Sequence, residues 1–547
     1  MSISSLLMAT VLAAIPLTLI LAAMPAGLQT RRFALNDHQR WRFAWRAVQL
    51  VAVFTLTAVA SSFMLPDADL HWFSDSPLRL TLLVLLSVMA LVVVKFSYRY
   101  LAAEPGFGRY LRWLLLTLAA VALVFISNHL LLFVLGWIAI SLALHQLLMF
   151  YPDRPRAALA AHKKFLLARV AEASLLTAFY LLWQQHGSAH IDTILAAYQA
   201  PAQLSLSEQI AAVLIALTAL IKCAQLPVHG WLIQVVEAPT PVSALLHAGV
   251  INLGGFLLIL FAPLFLQVAA AQWLVLVVAG LTTVLAALIM TTRISVKVRL
   301  AWSTSAQMGL MLLECALGLV ELALLHLLAH SAYKAWAFLS SGSAVQQHIQ
   351  QSLLVSPPPG LRQWFVVVVP AMSVVVGAAW LSAYLHPVSQ LLSSWLLLAL
   401  ALTAFLAQSG QGSIFSAVWL RSLTLAVSLA LAYSLLKVLM QPLAGNLGET
   451  VRPELFSAAD WWASGLFLVL FVTWWLLRWR SHWPSMQRLS VALFAGFYLD
   501  EWFTRITLRL WPARLPVRAN PKLAPMQNSE QLAQQLQAAK SRTEQLS

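Results

Sequence analysis

Three observations predict an all-α polytopic membrane protein with about 14–15 transmembrane helices. Hydrophobic residues make up 61% of the 547 and charged residues 10%, with a mean hydropathy of +0.80; water could not solvate so apolar a chain of this size. The apolar residues fall into runs of about 18 or more, the length that crosses a hydrocarbon layer as a helix. The basic residues gather in alternate loops between those runs, the pattern that orients a membrane chain.

In order, the runs cover 4–26, 47–65, 78–95, 110–126, 129–150, 162–183, 209–236 and 242–264, then 271–290, 299–318, 322–345, 364–385, 391–408, 413–440 and 462–478. The first has no basic segment before it and is long enough to span, so it reads as a membrane helix and not as a cleaved signal. Arg31, Arg32, Arg40, Arg42 and Arg46 follow the first run; Arg99 and Arg109 follow the third; Arg154, Arg156, Lys163 and Lys164 follow the fifth; Arg293 and Lys297 follow the ninth. The loops between carry Asp67, Asp69, Asp75, Asp192, Glu321, Glu449 and Asp460, with Arg452 as the exception. This alternation predicts an N-terminus outside and a cytoplasmic C-terminus. Residues 485–512 mix Trp, Phe and Leu with Arg, Asp and Glu, and read as an amphipathic segment on the inner surface or a docking surface for a partner. The polar remainder of 485–547 reads as a solvated tail.

The net charge of +15 does not indicate nucleic acid, because the basic residues lie in short loops and the tail and not on one water-facing patch. The two cysteines, Cys223 and Cys315, form no CxxC pair or His–Cys cluster, which argues against a zinc site, an iron–sulfur cluster or a disulfide framework. Neither GxGxxG nor GxxxxGK[ST] occurs, so no nicotinamide cofactor or nucleoside triphosphate has an evident cradle. No cofactor is expected in this chain, and lipid is its expected surroundings.

Function is sought in the ionisable residues that the apolar runs contain, since burying one in hydrocarbon costs roughly 2.5–3.5 kcal/mol on insertion scales. Arg169 and Glu172 sit three apart on one helical face, as a self-neutralising structural pair or as a node in a proton path. Lys222 is followed by Pro227, Pro239 and Pro241; Pro227 removes the amide that would bond the Cys223 carbonyl, and Thr240 before Pro241 reads as a cap that restarts a helix, with Glu237 just ahead. The segment therefore reads as a broken helix with a lysine at the break, the device by which transporters build ion sites. The alternative is a kinked helix with a snorkelling lysine. His247 follows in the next run. His326, His330 and Lys334 recur at intervals of four, one polar stripe on an apolar helix. Metal or haem ligation by the two histidines conflicts with the lysine on the same face, and a proton relay fits better. Gln225 and Gln307 supply neutral links or ordinary interhelical bonds.

The stretches "KCAQLPVHGWLIQVVEAPTPVSALLHAGVI", "VKVRLAWSTSAQMGLM" and "HLLAHSAYKAWAFLSSGS" resemble the antiporter-like family shared by the large proton-pumping subunits of respiratory complex I and the Mrp-type sodium/proton antiporters. The resemblance is dense over about 219–345 and weaker over 108–180. It implies two inverted five-helix repeats, each with a broken helix, and a midplane chain of buried Lys, His and Glu. Residues 1–100 would then be N-terminal helices, 108–264 the first repeat, 271–440 a second, degenerate repeat, and 462–478 the last membrane helix. Lys222 matches the lysine of the first broken helix, His247 the histidine after "PTPVSAL", His326, His330 and Lys334 the relay, and Arg169 with Glu172 a TRVGD-like pair.

Departures from the family matter as much. The glutamate that follows the Gly-Trp of the fifth helix is replaced by Ile138, so Glu172 or Glu237 would have to partner Lys222, with His145, two turns on, contributing. The lysine of the second broken helix has no counterpart, since 372–390 offers His386 alone. No long lateral helix is expected after the fifteenth run. The ending "AGFYLDEWFTRITLRLWP" is similar to membrane subunits of the Dab inorganic-carbon accumulation systems. That resemblance implies a bacterial inner-membrane complex with a DabA-like, carbonic-anhydrase-related partner that holds zinc and hydrates CO₂ to bicarbonate, while this chain, itself no enzyme, conducts protons or sodium ions. A subunit of a complex I-type or Mrp-type assembly, and a non-conducting scaffold for a soluble enzyme, are the alternatives.

Overall fold

A computed structural model of the chain describes residues 3–27, 35–64, 70–101, 104–151, 154–201, 203–343, 359–385, 391–409, 416–448 and 455–511. His386, the loop residues Arg31, Arg32, Asp67, Asp69, Glu449 and Arg452, and the tail from 512 lie outside them.

Helices α1 (Ile3–Gly27), α2 (Asp37–Met64), α3 (Pro77–Tyr100), α4 (Phe107–Ile126), α5 (Leu130–Leu148) and α6 (Pro155–His186) run back and forth in sequence, α1 packing on both α2 and α4. After the short α7 (Ile191–Ala196) comes α8 (Leu206–Lys222), started by a reciprocal capping box between Ser205 and Glu208. Then follow α9 (Gly230–Gln234), α10 (Thr240–Ala248), α11 (Leu253–Leu260), α12 (Ala262–Phe265), α13 (Ala269–Thr291), α14 (Val296–Ala316) and α15 (Val320–Leu339). The chain continues through α16 (Leu361–Leu385), α17 (Leu392–Ser409), α18 (Ala417–Ala444), α19 (Ala458–Trp479), α20 (Pro484–Phe494) and α21 (Glu501–Leu510). One continuous apolar core joins α1 to α15; a second, with Trp364, Ala371, Trp395, Leu406 and Ala426, lies among α16, α17 and α18.

Eleven segments, α1 to α6, α10 with α11, α13, α16, α18 and α19, have the length and hydropathy to cross a membrane unaided. Helices α8 and α17 are shorter, and α14 and α15 are interrupted by charged residues and histidines, yet all four pack among the rest. With these included, the described loops alternate between two faces. On the basic face Arg154 pairs with Glu237 at 3.9 Å, Lys297 donates to Thr240 at 2.9 Å, and Arg293 donates to the Leu493 carbonyl at 3.3 Å. On the other face Arg79 meets Asp192 at 3.7 Å, and Asp460 accepts the Leu392 and Ser393 amides at 3.0 and 2.9 Å. Helices α20 and α21 sit on the basic face, α21 against α6, so the amphipathic segment is two helices around a turn.

Four expectations change. Helix α8 ends at Lys222, five residues ahead of Pro227. The Gln225 amide bonds the Leu220 carbonyl at 3.0 Å and the Ala224 amide bonds Ile221 at 3.1 Å, with Ala224 left-handed at φ 51°, the bonding pattern that closes helices in a Schellman motif. Thr240 is the first helical residue and Pro239 the cap; the Thr240 hydroxyl donates to Tyr100 at 3.0 Å and binds no backbone amide at the helix start. The run 242–264 is itself broken, by a tight turn at Val250–Asn252 between α10 and α11. Lys163 and Lys164 are not loop residues: both are buried in the third turn of α6.

Candidate functional site

The site begins where α8 stops. A helix C-terminus leaves unpaired carbonyls and a partial negative charge, which favours a cation at its last residue. Lys222 is that residue, and its ammonium lies 4.5 Å from the centre of the Trp137 ring, a cation–π contact. It borders a cavity of about 30 Å³ lined by Trp137 and Ser141 of α5, Lys164 and Glu172 of α6, Trp231 of α9, and Val250 and Ile251 of the second break. That is room for one or two waters, and polar partners surround it.

Glu172 is the carboxylate of this cavity. Its Oε1 accepts from Arg169 Nη2 at 2.8 Å, its Oε2 also lies 2.8 Å from that nitrogen, and Arg169 donates to Ser141 Oγ at 2.9 Å. Lys164 donates to the Ser141 carbonyl at 2.7 Å. Arg169, Lys164 and Lys222 thus gather around Glu172 and Ser141. Glu237 is elsewhere, in its partly exposed pair with Arg154 on the basic face. Ile138 does not line the cavity, although its neighbour Trp137 does. His145 does not line it either; its ring lies 5.3 Å from Phe165 and 6.2 Å from Trp511.

A second cluster forms across the break between α10 and α11. His247, fully buried, donates through Nδ1 to Thr304 Oγ1 at 3.1 Å, since that hydroxyl spends its own hydrogen on the Leu300 carbonyl; its Nε2 is buried with no hydrogen-bond partner among the described residues. His330 of α15 lies with Nε2 3.1 Å from the His247 carbonyl and Nδ1 2.8 Å from Gln307 Oε1. A doubly protonated ring donates to both oxygens. A neutral ring donates to the carbonyl and accepts from Gln307 once that amide turns over. One amide rotation therefore satisfies both states of His330, which is what a proton carrier needs. Lys334, one turn on, donates to Ser303 Oγ at 2.8 Å. His326, one turn back, bonds through Nδ1 to Glu314 Oε2 at 3.0 Å.

The clusters meet at the backbone of the break. Val250 and Ile251 wall the Lys222 cavity, and Cys223 Sγ donates to the Ile251 carbonyl at 3.2 Å. Asn252 donates to the Ala248 carbonyl freed by the break and to Ser331 Oγ, next to His330, at 3.2 and 2.7 Å. Of the residues the sequence singles out, Arg169, Glu172 and Lys222 converge on the first cluster and His247, His326, His330 and Lys334 on the second; Pro227, Pro239 and Pro241 flank α9 between them. Sequence reasoning missed Lys164, Ser141 and Glu314. Lys164 is eight residues before Glu172, on the same face of the helix, and Glu314 is an acid inside an apolar run, the signal used for Lys222. Lys437, buried on α18, also went unread. Among the described residues no group of three or more His, Cys, Asp or Glu side chains is placed to hold a metal ion.

Residues 127–420 match the family described as NADH:quinone oxidoreductase/Mrp antiporter, transmembrane. The "Probable inorganic carbon transporter subunit DabB" of Hydrogenovibrio crunogenus is 49% identical over 453 residues, 83% of this chain and 86% of that one. DabB2 of Halothiobacillus neapolitanus, likewise named a probable inorganic carbon transporter subunit, is 36% identical over 92% of this chain and 94% of its own length. In fold, the chain is similar to the Mrp complex from Dietzia sp. DQ12-45-1b, with a TM-score of 0.58 at 19% identity over 98% of this chain and 60% of that one. An archaeal membrane-bound sulfane sulfur reductase gives 0.55 at 15% identity over 90% and 99%. Matched by that family over more than half its length and by DabB subunits over most of it, this chain belongs to the antiporter-like membrane family of NADH:quinone oxidoreductases and Mrp antiporters, in its DabB branch.

Proposed function

We propose that this chain is the proton-conducting membrane subunit of an inorganic carbon transporter, set in a bacterial inner membrane with its basic face in the cytoplasm. The reading is carried by the two polar clusters that meet at the break between α10 and α11, where the Lys222 cavity and His330 share one stretch of backbone. Protons enter near Arg169–Glu172, pass Lys222 and His247 to His330 and Lys334, and leave toward the cytoplasm. Protons fit better than sodium ions: ammonium groups at Lys164, Lys222 and Lys334 repel a metal cation but can hand on a proton. Each charge that falls through 100 mV releases about 2.3 kcal/mol, enough to bias a coupled equilibrium more than tenfold. The current would make CO₂ hydration unidirectional in a DabA-like, carbonic-anhydrase-related partner, which would hold the zinc and perform the catalysis on the cytoplasmic side.

The test is substitution in the assembled complex. Lys222→Ala and Lys334→Ala are each expected to abolish proton flux into proteoliposomes and CO₂-limited growth of a rescued host, with the complex still assembled. Full growth with both variants would leave a scaffold as the function. Pull-down of the tagged chain is expected to bring with it a carbonic-anhydrase-related protein.

A further inference from the structure

The C-terminal segment grips the helix break. Asp500, between α20 and α21, accepts from Lys163 Nζ at 2.5 Å and from Gln234 Nε2 at 3.0 Å through one carboxylate oxygen. Lys163 is fully buried and donates also to Thr504 at 2.6 Å. The other oxygen of Asp500 presses on α9 at Gly230, where a Cβ would lie 1.6 Å from it; glycine alone allows that approach. Helix α9 has only five residues and serves two neighbours. Gly230 and Gln234 meet Asp500, while Trp231 between them walls the Lys222 cavity. Two further contacts seat the segment: Arg293 on the Leu493 carbonyl, and Trp511 stacked on His162 at 3.9 Å and 9°. A carboxylate 337 residues from its lysine in sequence thus fixes the wall of the cavity.

We propose that Asp500 is a positioning residue: through Lys163 and Gln234 it holds α9 across the route between the basic face and the Lys222 cavity, so that release of the C-terminal segment opens the cavity to that side. This rests on the cavity being part of the conduction path, but its test does not need conduction. In the assembled complex in oriented vesicles, Leu144→Cys, on the cavity wall, is labelled with a membrane-impermeant cationic thiol reagent added on the side of the C-terminal segment. Asp500→Asn, Lys163→Gln and Gly230→Ala, three chemically different ways to undo the contact, are each expected to raise the labelling rate at least about tenfold, since each removes or displaces a charge-assisted bond. Asp500→Asn combined with Lys163→Gln is expected to give no more than either alone. A control cysteine at Thr193, in the cavity on the opposite face and labelled by the same reagent added on that side, should keep its rate. Unchanged labelling at Leu144→Cys overturns the proposal, and so does an equal rise at Thr193→Cys, which would mean general loosening. Loss of flux in Lys222→Ala, or its persistence, judges the conduction reading separately.

Discussion

Glu172→Gln distinguishes the two acids that the sequence offers as partner of Lys222. Glutamine keeps the volume and one carbonyl acceptor but removes the charge around which Arg169, Lys164 and Lys222 are arranged. Glu172 is 7% exposed and Arg169 36%. At 4 Å and an effective dielectric of 20, one opposite charge is worth about 4 kcal/mol. Solvent at Arg169 reduces its share, so the net loss is about 1–3 kcal/mol, or roughly fivefold to 150-fold in the population of charged Lys222. Proton flux in proteoliposomes of the assembled complex is expected to fall by that factor, and Glu172→Asp to retain part of it. Glu237→Gln is the control: its pair with Arg154 spans 3.9 Å with side chains 34% and 51% exposed, and such pairs contribute about 0–1 kcal/mol. If Glu237→Gln stopped flux and Glu172→Gln did not, the assignment of the counter-charge would be wrong.

Three other changes test separate parts of the structure. Gly309→Ala places a Cβ 2.6 Å from Thr283 Oγ1 and 2.7 Å from the Ala279 carbonyl, where α14 crosses α13; overpacking of this kind costs about 1–3 kcal/mol and should lower the thermal midpoint of the detergent-solubilised protein. Ala224→Gly removes the penalty of a left-handed alanine, roughly 1–2 kcal/mol, and offsets it with the greater backbone freedom of glycine in the unfolded chain; the variant should fold with a midpoint at or above the parent, and a clear loss would show that Ala224 is not left-handed. Burial, with Asp192 nearby, raises the Asp75 pKa. A carboxyl that holds its proton more tightly folded than unfolded stabilises at low pH and loses that stabilisation as pH rises through the carboxylate range. Asp75→Asn should therefore stabilise at neutral pH, with a gain that fades in acid; a pH-independent difference would refute that cause.

The parts of the site visible in the sequence are those where a local pattern and the final contact coincide. Lys222 stood out because an ammonium followed by prolines is costly in hydrocarbon, and His326, His330 and Lys334 because a period of four marks one helical face. The same rule shows Arg169 with Glu172. Lys164 is hidden because, at the start of the run 162–183, it reads as one of the orienting loop charges; α6 begins at Pro155 and runs 32 residues, far beyond one hydrocarbon thickness, which carries Lys164 into the packed part of the helix. The end of α8 was misplaced because proline marks breaks in sequence, whereas Ala224 in a conformation that glycine usually takes leaves no mark. The grip of Asp500 on Lys163 joins segments far apart in the chain, and no local pattern encodes it.

Both clusters sit at the C-terminal ends of interrupted helices, and this bears on how the proposed relay would work with Ile138, an apolar residue, after Trp137. The last residue of α8 is Lys222, and the His247 carbonyl, at the end of α10, is the group that His330 faces at 3.1 Å. A helix C-terminus carries about half a negative charge, worth some 0.3–1 kcal/mol to a nearby cation and up to about 2 kcal/mol when partly buried. That is less than a full carboxylate provides, and the difference suits a relay. A group that must gain and lose a proton repeatedly is best served by a partner that favours its charged form without locking it. In the first cluster Glu172 is shared with Arg169, whose Nη2 lies 2.8 Å from each of its oxygens and donates to Oε1, so Lys222 meets a carboxylate already half-satisfied. The two breaks thus provide, from backbone, graded negative charge at the two places where the proposed path has a proton change hands.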